Sequence, residues 1–345
     1  MNRRNFLGAA VAAGAFAATN SKLSYAQTNQ KMIKPKTLRK GDTIGVIAPG
    51  TAVTDPRDML RAKEVLDHYG FKMYVPDKAF DDLGYKTQSV DTKVMTIHDL
   101  FLNKDVDGIM CIRGGYGSGR ILDKLDYDLI KNNPKAFIGF SDITAMHSAI
   151  NQNSNLITFH GPVLLSGFSA YTAKYFEKVL MSNKPAGTLE NNTHKSGIRE
   201  INKTMMISPG KASGQLAGGN LSLISSLMGT PYEIDVKGKI LLIEDVGEEP
   251  YRMDRMLNQL RLAGKYEECI GIVVGQCSDC GFGDSRVWDL SLNEVLEDFF
   301  GKLGKPVFYG FQFGHTYDQI TLPLGINAEM DADKGSITIN ESATT

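Results

Sequence analysis

Blocks of lysine and arginine are missing from this sequence, and so is any ladder of alternating basic and aromatic residues. The formal net charge is −1, and the chain becomes more acidic once an N-terminal segment carrying Arg3, Arg4 and Lys22 is set aside. Nucleic acid is therefore not an expected partner. Beyond Ala26 no apolar run approaches the roughly 20 residues that cross a bilayer, so no stable membrane insertion is expected of the mature chain. Internal repeats and low-complexity tracts are absent too, which removes repeat architectures from consideration. Cysteine is scarce, with four residues: Cys111, Cys269, Cys277 and Cys280. The first two sit in apolar, strand-like runs and read as buried thiols. Cys277-Ser-Asp-Cys280 has the spacing of a redox pair or of half a zinc site, yet no second Cys/His pair stands nearby to complete four ligands. No metal and no cofactor is expected. A local disulfide and a coincidence of spacing both stay open.

What is present begins with an address. Arg3-Arg4-Asn5-Phe6-Leu7 precedes a short apolar run, Gly8 to Ala18, and small residues lead to Ala26. This order is that of a twin-arginine export signal over residues 1–26, and it predicts a periplasmic protein. The remainder is long enough for two domains. From Thr43 to Phe159 near-continuous apolar runs alternate with helical periodicity: Thr43–Ala48, Phe71–Val75, Val106–Ile112, Ala136–Ile138 and Leu156–Phe159 as strands, with helices at Pro56–Tyr69, Val90–Leu102, Ile121–Ile130 and Ala170–Met181. That pattern predicts an α/β fold whose parallel sheet is covered on both faces. Residues 33–185 are taken as one domain, the polar stretch 186–206 as a linker, and 207–341 as a smaller second domain of mixed strands and helices.

One decapeptide concentrates the chemistry: Lys135-Ala-Phe-Ile-Gly-Phe-Ser-Asp-Ile-Thr144. A buried strand ends at Gly139 and a helix begins just after, so Ser141 sits on a sharp strand-to-helix turn, as a nucleophilic serine does. The competing reading is that Ser141 and Asp142 merely cap the helix, which both types favour. A nucleophilic serine needs a base and an acid to orient it. Only six histidines are available. His68 and His98 fall within predicted helices, His194 in the polar stretch, and His147 two turns along the helix after Ser141. His160 and His315 remain, and His315 directly follows a strand. For the acid, Lys239-Ile-Leu-Leu-Ile-Glu244-Asp245 places carboxylates at a strand end, where burial demands a function or an ion pair; Arg252 and Arg255 supply the ion-pair alternative. Glu244 and Asp245 project to opposite sides, and Glu244 ends the strand. The glycine run Gly114–Gly119 fits a dinucleotide loop poorly and suits an oxyanion loop better, with backbone N–H groups of Gly115 and Asp142 facing the carbonyl oxygen. Ser118, inside that run, is the rival nucleophile.

Arg113-Gly-Gly-Tyr-Gly117, Gly139-Phe-Ser-Asp-Ile-Thr144, His160-Gly-Pro162, Gly218-Gly-Asn-Leu221, Gly229-Thr-Pro231, Glu244-Asp245, Pro250-Tyr-Arg252 and Gly314-His315 occur in this order. Taken together they resemble the LD-carboxypeptidases, the muramoyl-tetrapeptide carboxypeptidases related to the microcin C immunity peptidases, over roughly Thr43 to Leu324. The resemblance implies a Rossmann-like N-terminal domain, a C-terminal domain of mixed strands, a homodimer, and no metal or organic cofactor. It also implies a serine peptidase with Ser141 as nucleophile, His315 as base and Glu244 as its orienter. The expected substrate is a murein tetrapeptide that loses its terminal D-alanine. Arg113, Tyr116 and Arg120 are candidates to hold it, the arginines through its carboxylate. An acylamidase that opens a peptide–nucleotide antibiotic is the alternative within the class, and a non-catalytic binder of peptidoglycan fragments is the alternative outside it.

Overall fold

Buried apolar runs make the strands, and capping residues frame the helices between them. The computed structural model describes residues 31–77, 79, 88–281 and 290–345; the expected export signal lies outside these residues. The first half alternates β1 (Thr43–Ile47), α1 (Pro56–Tyr69), β2 (Lys72–Tyr74), α2 (Val90–Leu102), β3 (Gly108–Cys111), α3 (Tyr127–Asn132), β4 (Ala136–Gly139), α4 (Thr144–Ser154) and β5 (Thr158–His160), followed by α5 (Ala170–Leu180). Every residue of β3, β4 and β5 is buried, as strands covered on both faces require. The single helix expected over 121–130 is instead two pieces, a 3-10 turn at Ser118–Lys124 and then α3. The break comes where Asp126 accepts a hydrogen bond from the Leu129 N–H and starts a new helix.

The second half contains β6 (Gly187–Leu189), β7 (His194–Ser196), β8 (Arg199–Ile201), β9 (Met205–Ser208), β10 (Lys211–Asn220), α6 (Leu221–Ser226), β11 (Ile240–Glu244), α7 (Pro250–Leu262), α8 (Lys265–Glu268), β12 (Gly271–Gly275), α9 (Leu292–Phe300), β13 (Val307–Phe311), β14 (Leu322–Leu324), β15 (Asn327–Asp331) and β16 (Ser336–Ile339). Two large sheets result. The first has the order β14-β5-β4-β3-β1-β2, parallel throughout except for β14, which pairs antiparallel with β5. The second has the order β6-β16-β15-β10-β11-β12-β13-β9, with a parallel centre from β10 to β13 and antiparallel flanks.

The glycine-rich Ser213–Asn220 is the body of the ten-residue strand β10. One sequence reading changes here. The polar segment 186–206 is not a free linker, since its Leu189 pairs with Ile337 and so places β6 at the edge of the second sheet. Its polarity belongs to the exposed β7–β8 hairpin, which hid β6 and the start of β9, where Met205 and Met206 pair with Tyr309 and Phe308. Residues 32–345 accordingly form one compact unit. A single apolar cluster runs from Ile138 and Phe159 through Leu322 and Leu324 to Phe311 and Phe313, all essentially buried, and fastens the two sheets together. Each such side chain contributes about 1.5–3 kcal/mol by leaving water. Gly219 marks a close approach between β10 and α4. Its φ is +145°, and a Cβ there would stand 2.5 Å from Thr144 Oγ1. Only glycine lets the end of β10 reach the start of α4, where the Asn220 N–H donates to Thr144 Oγ1 at 3.0 Å.

Candidate active site

The carboxyl ends of parallel strands from both sheets supply the site, the position at which α/β sheets present ligands and catalysts. β4 delivers Ser141. After Gly139 the chain is extended at Phe140 and then enters the left-handed region at Ser141, with φ +65°. For a residue with a Cβ this conformation costs about 1–2 kcal/mol. A short 3-10 turn, Ser141–Ile143, leads straight into α4, and neither Ser141 nor Asp142 caps a helix through its side chain. The capping alternative therefore falls. Asp142 points its carboxylate at the glycine loop after β3, accepting from the N–H groups of Gly117 (3.2 Å) and Ser118 (2.8 Å). Ser118 is fully buried and donates its own hydroxyl to the Asp142 carbonyl at 2.5 Å, so it is a clasp between loop and elbow. Gly114 lies directly against the serine, since a Cβ on it would stand 3.3 Å from Ser141 Oγ.

β13 and β11 deliver the other two groups. His315 lies four residues beyond β13, and its Nε2 is 2.9 Å from Ser141 Oγ. Its Nδ1 is 2.7 Å from Oε2 of Glu244, the last residue of β11. The same Oε2 accepts the His315 backbone N–H at 3.2 Å, which fixes main chain and ring together. Glu244 is wholly buried. Gly314, at φ +82°, is obligatory, because a Cβ there would lie 2.2 Å from the Glu244 carboxylate. The edge of the Phe140 ring packs on the His315 imidazole with centroids 4.8 Å apart. Burial alone lowers the pKa of His315, but the hydrogen bond and charge of Glu244 outweigh it, and the net result is above the ordinary 6.5. Serine, imidazole and carboxylate are thus joined in one hydrogen-bonded chain, the arrangement by which a hydroxyl is activated for attack on a carbonyl.

Similarity to known proteins agrees with this chemistry. Residues 44–161 match the LD-carboxypeptidase N-terminal domain, and residues 213–330 match the LD-carboxypeptidase C-terminal domain. The chain belongs to the LD-carboxypeptidase family. It is 40% identical over 305 residues to a probable murein peptide carboxypeptidase of Bacillus subtilis, covering 88% of this chain and 93% of that one. It is 31% identical over 333 residues to the microcin C7 self-immunity protein of Escherichia coli, covering 88% and 94%. The solved structure of muramoyltetrapeptide carboxypeptidase from Oxalobacter formigenes superposes with a TM-score of 0.75 at 28% identity, over 88% of this chain and all of that one.

The remaining candidates in this LD-carboxypeptidase fold fall into place around the chain of three. Asp245 turns away from Glu244 and accepts from Asn220 Nδ2 (3.0 Å), the Ser222 N–H (2.9 Å) and Ser222 Oγ (2.8 Å), tying β11 to the start of α6. Among the described residues no arginine is ion-paired with either carboxylate; Arg252 instead lies 3.9 Å from Glu248. His160, the other candidate base, is completely buried between Phe140 and Phe313. Burial, with His147 and His315 nearby, holds it neutral well below its usual range. His147 hydrogen-bonds the Gly139 carbonyl at 2.8 Å, and burial pushes its pKa down to about 4. Arg113 donates to the Ala52 carbonyl at 3.3 Å, Gly115 and Arg120 are exposed, and Tyr116 is 63% exposed on the glycine loop. Among the described residues no cluster of three or more His, Cys, Asp or Glu is placed to hold a metal ion.

Two supporting residues escaped the sequence reading. Lys93, buried in α2, donates to the carbonyls of Pro49 (2.8 Å) and Gly50 (2.9 Å) and so holds the loop after β1. Thr51 of that loop in turn accepts the Tyr116 N–H at 2.9 Å. The signal was a lysine one turn before Ile97, on the face of α2 that helical spacing assigns to the core. The other is Ser278, whose Oγ donates to the His315 carbonyl at 2.5 Å. It stands between Cys277 and Cys280, where only the cysteines drew notice.

Proposed function

We propose that this LD-carboxypeptidase is a serine peptidase that cuts the L,D bond of murein tetrapeptides and releases the terminal D-alanine. The hydrogen-bonded chain Ser141–His315–Glu244 carries the reading. His315 takes the Ser141 proton through Nε2 as Oγ attacks the peptide carbonyl, and Glu244 stabilises the imidazolium that forms. The backbone N–H groups of Gly115 and Asp142 receive the oxyanion; neither donates within the backbone network of the described residues. His315 then protonates the departing D-amino acid, and water repeats the sequence on the acyl-enzyme. Arg113 and Arg120 stand on the loop that the substrate carboxylate would meet.

The likeness to the murein peptide carboxypeptidase of Bacillus subtilis supports the substrate class. A stem tetrapeptide has an L-centre before the scissile bond and a D-centre after it. A pocket fitted to one configuration leaves polar groups unpaired with the other, at about 1–3 kcal/mol each, and discrimination in such sites reaches about 10⁴-fold. Mass analysis of products from defined muropeptides tests this: D-alanine should leave tetrapeptides, with negligible cutting of D-Ala–D-Ala in pentapeptides or of all-L peptides. Efficient cleavage of all-L peptides would sink the L,D assignment. The likeness to the microcin C7 self-immunity protein supports a second reading, an acylamidase acting on a peptide–nucleotide conjugate, and the same assay with such a conjugate separates the two. The reading extends to a periplasmic homodimer. Replacing Arg3 and Arg4 by lysine should retain the precursor in the cytoplasm, and light scattering should give twice the chain mass.

A further inference from the structure

The segment Cys277-Ser-Asp-Cys280 follows β12 and takes no part in acyl transfer. It forms a tight turn in which the Cys280 N–H donates to the Cys277 carbonyl at 3.3 Å and Asp279 adopts φ +56°. Such turns hold their first and last Cα atoms within about 7 Å, the separation that a disulfide spans. Both thiols are free. Cys277 is buried, whereas Cys280 is half-buried and open to attack. Between them, Ser278 is tied to the backbone of His315 and to the segment that follows Glu244. Its Oγ donates to the His315 carbonyl at 2.5 Å, and its own carbonyl accepts the Gly247 N–H at 2.9 Å. It also bridges Val246, two residues beyond Glu244. At the end of β12, Gly275 abuts Glu244 so closely that a Cβ would lie 2.9 Å from the Glu244 Cβ.

We propose that Cys277 and Cys280 are a reversible dithiol–disulfide site, and that closing the disulfide lowers turnover by shifting Ser278 against the His315 loop. The oxidant is a small or protein disulfide. The Cys280 thiolate attacks one sulfur of that disulfide and expels the other as a thiolate, which gives a mixed disulfide. Cys277 then attacks the Cys280 sulfur and expels the second thiolate. The two protons of the cysteine pair pass to the two leaving thiolates, so two thiols are oxidised and one disulfide is reduced. The neighbouring Cys277 holds the Cys280 thiol below its usual range, which favours it as the attacking member. Bond formation brings the sulfurs to about 2.05 Å and tightens the turn around Ser278. The catalytic hydrogen bonds at 2.7 and 2.9 Å leave little slack, and misplacement by about 1 Å costs on the order of 10²-fold in rate.

The test holds the mature enzyme in glutathione buffers from fully reduced to fully oxidised. Peptide mapping counts the bond, hydrolysis of a murein tetrapeptide measures turnover, and the low-field proton resonance of the His315–Glu244 hydrogen bond reports the site without substrate. Expected are a Cys277–Cys280 bond in oxidised buffer, a fall in kcat of about tenfold or more with KM little changed, a shift of the resonance, and full recovery with dithiothreitol. Cys280→Ser should keep the basal rate and lose all three responses. No bond between these two cysteines, a bond that moves neither kcat nor the resonance, or a Cys280→Ser enzyme as sensitive as the parent would each overturn the proposal. The mapping and resonance arms stand even if the tetrapeptide proves to be the wrong substrate.

Discussion

Replacing Glu244 by glutamine probes the site with almost no change in shape. The carboxylate is wholly buried, and one of its oxygens, Oε2, accepts both His315 Nδ1 at 2.7 Å and the His315 N–H at 3.2 Å. A neutral amide removes the charge that stabilises the imidazolium. Hydrogen bonds to charged groups contribute about 1.5–3 kcal/mol, so this loss alone amounts to roughly 10- to 150-fold in rate. If the amide nitrogen faces Nδ1, it also forces the imidazole proton onto Nε2, against Ser141, and the base is lost. Together these place the expected fall in kcat at about 10³–10⁴-fold, the size of a carboxylate-to-amide change in a serine triad. The pH dependence has a definite sign. Neutral His315 is the active form, so kcat/KM rises with pH through a pKa that lies above 6.5 because Glu244 overrides burial. In Glu244→Gln burial is less opposed, and the acid limb should move to lower pH. Stability shifts in the matching sense. A folded-state pKa above the unfolded one stabilises the parent fully below about pH 6.5, and this contribution fades as pH rises through the folded value. The variant should therefore lose stability relative to the parent in acid and regain it toward alkaline pH. Stopped-flow assays and urea melts across pH check both. A variant keeping more than a tenth of the parent kcat would falsify the assigned role.

Ser141→Gly and Ser141→Ala should both be inactive, yet melts should find the glycine variant more stable by about 1 kcal/mol, because only glycine relaxes at φ +65°. Equal stabilities would mean that the turn stores no strain. Ser118→Ala should keep kcat within about tenfold and cost about 1 kcal/mol for the lost bond to the Asp142 carbonyl; abolished turnover would restore Ser118 as a candidate nucleophile. Lys93→Met leaves the carbonyls of Pro49 and Gly50 without their donor and should cost about 1–3 kcal/mol by thermal denaturation. No change in melting would show that water substitutes for the ammonium.

The three residues that meet were legible because each sits at or just beyond a strand of apolar residues, where chain direction alone puts them on a rim. Ser141 required one more fact. Its left-handed backbone, set between the loop at Gly114 and the start of α4, is not encoded by any local preference of serine. The alternation that announced the first sheet ran through side chains that bury locally, so the parallel character of its first five strands could be read. β10 could not, because glycine weakens strand propensity while serving close approach at Gly219. β6 was hidden for another reason: its anchor, Leu189, pairs with Ile337, far away in sequence. The buried charge of Lys93 looked like an ordinary helix residue until the loop it holds was in view.

The antiparallel edge strand β14 closes the first sheet with residues from near the end of the chain, Leu322 pairing with His160. On a ribosome, the five parallel strands emerge long before this partner exists. Their outer edge at β5 therefore waits, unpaired, through the synthesis of nearly half the protein. His315 emerges only seven residues ahead of Leu322, so the base and the closing strand arrive almost together. An incomplete nascent chain can display Ser141 but lacks the imidazole that the proposed reaction needs. On that mechanism, hydrolysis would begin only when translation is all but finished.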